Sequence, residues 1–106
     1  MNWNESEEVW DFMQDPSVSN RVEAAAMLLE SGKKHPEAIE TLAGALADPR
    51  VEAKLHAMRA IELLGDRASD LEKSVKSILN EARNRQDENP CWMFVVFSAE
   101  AWLERR

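Results

Sequence analysis

Two histidines, His35 and His56, and a single cysteine, Cys91, are the residues of this chain best suited to metal or nucleophilic chemistry. The histidines lie 21 residues apart, and neither has a second His one turn along, the spacing that puts two imidazoles on one helix face for zinc. Glu52 is one turn before His56, whereas Glu62 falls too far round the helix to share its face, so both histidines read as surface or capping residues. Cys91 follows Pro90 in the first turn of a predicted helix, where the helix dipole would favour a thiolate. No histidine stands near it to act as a base, and a lone thiol makes neither an internal disulfide nor a Cys-based zinc site, so it reads as an incidental thiol. Asp66 and Asp70 flank Ser69 without the alternating oxygen ligands and glycine of a calcium loop, and read as capping residues. There is no Gly-rich phosphate loop. No nucleophile, acid–base pair or ligand set can be assembled, so the expectation is a protein that is not an enzyme, with no catalytic residue, cofactor or metal.

Lys73, Lys76, Arg83 and Arg85 alternate with Glu72, Glu81, Asp87 and Glu88, which makes a solvated face of mixed sign and not a nucleic-acid stripe. The 106 residues carry 13 Lys+Arg against 20 Asp+Glu, a net charge of −7 that works against nonspecific binding to nucleic acid or anionic lipid. The acidic excess sits in the first half: residues 1–16 carry five acids and no base, while residues 49–106 carry ten of each. No run approaches the roughly 18 to 20 apolar residues that span a bilayer, and the first residues lack the basic and apolar regions of a signal peptide. A soluble chain is expected, with no compartment indicated and a protein as its partner. Its length and 44% apolar content suit one domain.

An internal repeat sets the architecture. Asp15 through Gly32 lies over Asp48 through Gly65 at an offset of 33 residues, with five of eighteen positions identical and no gap. Arg21 pairs with Lys54, Val22 with Leu55, Ala24 with Ala57 and Leu28 with Ile61. A third start, Asn89-Pro90, follows at an offset of 41, which places about eight extra polar residues around Arg83 to Glu88 in a loop. Asp15, Asp48 and Asn89 each suit an N-cap followed by proline, Gly32 and Gly65 suit C-caps, and Ser69 with Glu72 has capping-box spacing. Leu55, Met58 and Ile61 make a helical stripe that Val51, Ala57, Ala60 and Leu64 widen. The pattern predicts six helices over residues 5–14, 16–31, 36–47, 49–64, 70–83 and 90–104. These group into a half unit (4–14), a unit (15–47), a second unit (48–83) and a terminal helix (89–104).

Asp-Pro starts, a basic residue six positions later (Arg21, Lys54), a following alanine and a Leu-Gly ending resemble the HEAT repeat family. The resemblance implies an all-α fold, a short right-handed α-α superhelix of about six antiparallel helices. Residues 49–103, with the run Val51 to Ala68, more particularly resemble the HEAT-like segment C-terminal to the catalytic domain of some bacterial sulfatases. Cys91 is followed by Trp92-Met93-Phe94-Val95, so the Cys/Ser-x-Pro-x-Arg motif of those enzymes is missing and no catalytic residue carries over. The resemblance implies an accessory segment of such an enzyme or a free-standing relative, and an array that begins mid-unit favours the segment.

In such a fold equivalent positions of the second helices line one face, here Glu7, Glu40 and Lys73 beside Trp10, Ala43 and Lys76. This strip, acidic and aromatic at one end and basic at the other, would suit a partner peptide. All seven aromatic residues fall in or beside the two outer helices: Trp3, Trp10, Phe12, Trp92, Phe94, Phe97 and Trp102. The candidate interaction surface is therefore Glu7, Trp10, Asp11, Glu40, Lys73, Lys76, Trp92, Phe94 and Trp102. The partner is either another domain of a longer parent chain or a second copy.

Overall fold

Proline and glycine punctuate the chain where its helices begin and end. The computed structural model describes residues 13–105, within which every regular element is helical. These are α1 (Val18–Glu30), α2 (Pro36–Leu46), α3 (Val51–Leu64), a 3-10 helix (Gly65–Leu71), α4 (Glu72–Arg83) and α5 (Pro90–Glu104). The predicted helix 5–14, all but its last two residues, lies outside the described residues.

The Asp-Pro and Asn-Pro starts form the same local turn three times. The Asp15 Oδ1 accepts from the Ser17 N–H at 2.8 Å, the Asp48 Oδ1 from Arg50 at 2.8 Å, and the Asn89 Oδ1 from Cys91 at 2.9 Å. Only Asn89 caps its helix directly. At the other two starts the side chain closes a turn, and the N-caps are Ser17 and Arg50, so both helices begin about two residues later than predicted. Ser69 is not a cap either: it lies inside the 3-10 helix, and Leu71, the N-cap position of α4, makes no side-chain cap bond.

Gly32 and Gly65 have φ of +84° and +58°, conformations that side chains with a Cβ rarely adopt. With ψ at −126°, Gly65 turns the chain abruptly out of α3 and into the 3-10 helix, a sharper exit than the left-handed cap expected there.

Helix α3 is the centre of the packing. It meets α1 and α2 on one side and α5 on the other, while α2 also touches α4 and α4 lies against α5. Its stripe Ala57, Met58 and Ile61 is completely buried, joined by Leu28 and Ala25 from α1 and Leu42 and Ala38 from α2. Helix α4 offers Val75, Ile78, Leu79 and Ala82, a single i, i+3, i+4, i+7 face. The small residues let the helices approach closely, and among the described residues the buried aromatics come only from α5.

Gly44 is exposed in the interior of α2, with nothing within 4 Å of a Cβ built on it. Gly44→Ala should raise stability by roughly 0.5–1 kcal/mol, whereas Gly65→Ala should lower it by roughly 1–3 kcal/mol through backbone strain, both read from urea denaturation. The Arg50 guanidinium and N–H beside Asp48 hold its carboxyl at about 2, down from 3.8. The ion pair therefore stabilises the fold fully above pH 3.8 and loses its effect as pH falls through about 2. Asp48→Asn should melt below the parent at neutral pH, and the two melting temperatures should converge at the acid end of that window.

Candidate functional site

Helices α2 and α4 leave a cleft of about 770 Å³ between them. Ala43, Leu46 and Ile78 supply its apolar part, Ser74 and Ser77 its hydroxyls, and Lys54, Lys73, Glu81 and Arg85 its charges. Lys54 comes from α3, its side chain only 7% exposed, and its ammonium donates to the Leu46 carbonyl at 2.9 Å. Its aliphatic stem crosses the core while the head satisfies a carbonyl that the end of α2 leaves open. The nearest carboxylate, Glu81, is 3.6 Å away and is shared with Arg85 at 2.9 Å. Arg85 also donates to Glu88 at 2.8 Å, which holds the Glu88 carboxyl below its usual range. Its guanidinium lies 4.5 Å from the centre of the Trp92 ring, a cation–π contact that packs the inserted loop onto α5.

The aromatic residues of α5 divide between core and surface. Trp92 and Trp102 are 2% and 1% exposed, so neither belongs to the interaction surface expected of them. Trp102 Nε1 donates to the Gly65 carbonyl at 3.0 Å, which is how a buried indole satisfies its polar edge. Met93, Phe94 and Phe97 stay outside at 40%, 45% and 56% exposure. The two phenylalanine rings meet edge to face at 6.4 Å, and the Arg59 guanidinium sits 6.0 Å from the Phe94 ring. Adjacent exposed aromatics of this kind mark a contact surface more often than scattered single ones do.

Glu7, Trp10 and Asp11 lie outside the described residues. Glu40 and Lys73 are exposed but open onto different clefts: Lys73 onto the α2–α4 cleft, Glu40 onto a second one beside the 3-10 helix. Lys76 is paired with Glu72 at 3.2 Å within α4. Arg83 reaches Glu100 at 2.8 Å, so of Lys73, Lys76, Arg83 and Arg85 the last three are held by carboxylates. His56 stands 3.5 Å from Glu23 and 3.4 Å from the Ser19 hydroxyl, while His35 occupies the N-cap position of α2. Among the described residues no group of three or more His, Cys, Asp or Glu could hold a metal ion, and no helix is long and apolar enough to cross a membrane.

Sequence reasoning singled out Lys54 only as the counterpart of Arg21, and the two behave differently. Arg21 donates to the carbonyls of Asp15 and Pro16 in the turn before its own helix, whereas Lys54 reaches back to α2. The cleft residues Ser74, Ser77 and Glu81 had no signal beyond the polar face of an amphipathic helix. Comparison with protein families, characterised proteins and solved structures finds no match to this chain.

Proposed function

We propose that the chain is a non-catalytic helical-repeat module of the HEAT-like kind, a short α-α superhelix that holds a protein partner. The resemblance of residues 49–103 makes the accessory C-terminal segment of a sulfatase-like enzyme its best-supported setting. Three copies of one side-chain-to-backbone turn, at Asp15, Asp48 and Asn89, support the repeat. So does the succession in which α3 packs between α1 and α5 while α2 touches α4.

The observation that carries the interaction role is the Met93, Phe94 and Phe97 face, exposed on a helix whose opposite side fills the core. In a longer parent chain this face would lie against another domain. The same observation favours a second reading, in which two copies pair through it.

Trp92 and Trp102 are poor probes of either, because changing them removes core volume. Phe94→Ser with Phe97→Ser changes the surface and leaves the core alone. The accessory-segment reading predicts a monomer in light scattering that binds a hydrophobic dye through this face, with dye binding lost in the double variant and its helical circular dichroism unchanged. A dimer that the double variant converts to a folded monomer would favour self-association. Unchanged dye binding in the double variant would remove the face from consideration, and metal-dependent sulfate-ester hydrolysis by the purified chain would overturn the non-catalytic reading.

A further inference from the structure

The α2–α4 cleft differs in charge from two other clefts of the described surface. The cleft beside the 3-10 helix balances Lys33, Lys34 and Arg67 with Glu40, Asp66 and Asp70, and the cleft between α1 and α3 sets Arg50 against Glu52. Among the described residues, the α2–α4 cleft sets Lys54, Lys73 and Arg85 against Glu81 alone. A positive cleft on a chain of net charge −7 is a local feature that composition hides.

Its bonding is uneven as well. The Lys54 ammonium has three N–H donors, and the groups placed to take them are one neutral carbonyl at 2.9 Å and a carboxylate oxygen at 3.6 Å. Glu81 divides its charge between Lys54 and Arg85. Even with Glu88 counted on the far side of Arg85, three cations stand against two carboxylates among the described residues. Lys73 and Ser77 are one turn apart on α4, so ammonium and hydroxyl share an edge of the cleft, opposite the apolar Ala43 and Leu46 of α2.

We infer that this cleft binds an acidic peptide segment of a protein partner, its carboxylates on Lys73 and Lys54 and its small apolar side chains against Ala43, Leu46 and Ile78. The inference rests on the reading of the chain as an interaction module and names the chemistry of its partner. A phosphate backbone fits less well, because Glu81 within the cleft would face its continuous charge, whereas a peptide can place single carboxylates to either side of it.

The test is fluorescence anisotropy with the full chain and a labelled ten-residue peptide of four Glu, two Leu and four Gly, beside its counterpart with Gln for Glu. The Glu peptide should bind, more weakly as salt rises, and the Gln peptide should not. Lys73 is exposed, so Lys73→Glu should fold normally and weaken binding by about ten-fold or more. Phe94→Ser with Phe97→Ser should leave peptide binding unchanged, which separates failure of this inference from failure of the α5 contact surface. Equal binding of the Gln peptide, indifference to Lys73→Glu, or tighter binding of a ten-nucleotide single-stranded RNA would overturn the proposal. So would peptide binding that emerges only when Glu5, Glu7, Glu8 and Asp11 are changed to amides, since the cleft would then serve the chain's own acidic residues.

Discussion

The hydrogen bond from the Trp102 indole to the Gly65 carbonyl joins the two features on which the second half of the structure depends. Gly65 lets the backbone leave α3 through a conformation that a Cβ would strain, and this turn presents the carbonyl. Trp102 brings the largest fully buried side chain among the described residues from α5 to the same place. One bond thus closes the end of α3, satisfies the only polar group of the indole and fixes the height at which α5 lies along α3. Val95 and Ala99, completely buried two turns and one turn before Trp102, continue the contact along the helix. With α5 in place, Arg85 can lie on Trp92, and through Glu81 the inserted loop is tied to the buried Lys54.

Much of this framework could be read from residue type and spacing, because the signals were local. The helix starts marked by Asx-Pro and the ends marked by Gly32 and Gly65 depend on neighbours in sequence: Asn89 caps its helix as predicted, and both glycines take a positive φ at the predicted helix ends. Sequence and structure part where a local motif has two outcomes. An aspartate before proline can cap a helix or close a turn two residues ahead of one, and at Asp15 and Asp48 the turn wins. Ser69 with Glu72 fits a capping box, but the tight exit at Gly65 commits the next residues to a 3-10 path and delays α4.

The division of α5 between core and surface was not legible, for a different reason. Trp92 through Phe97 is apolar without interruption, so periodicity gives no direction, and only the partners in space decide that Trp92, Val95 and Val96 turn inward while Met93, Phe94 and Phe97 turn outward. Lys54 shows the opposite case. A lysine head is ordinarily solvated, yet an open carbonyl at the end of α2 and a long apolar stem make burial favourable here. Two surfaces of different chemistry result, an aromatic one on α5 and a positive cleft between α2 and α4, and they divide the proposed contacts between packing and charge.

The repeat reading holds that stability passes from neighbour to neighbour along the stack, with Gly65 and Trp102 fastening its last step. Amide hydrogen exchange on Trp102→Phe, which keeps an aromatic ring and removes the indole donor, tests this most directly. Protection should fall in α5, the 3-10 helix and α4, less in α3, and hold at the parent level in α1 and α2. An equal fall in all five helices would mean one indivisible core, and would contradict the account.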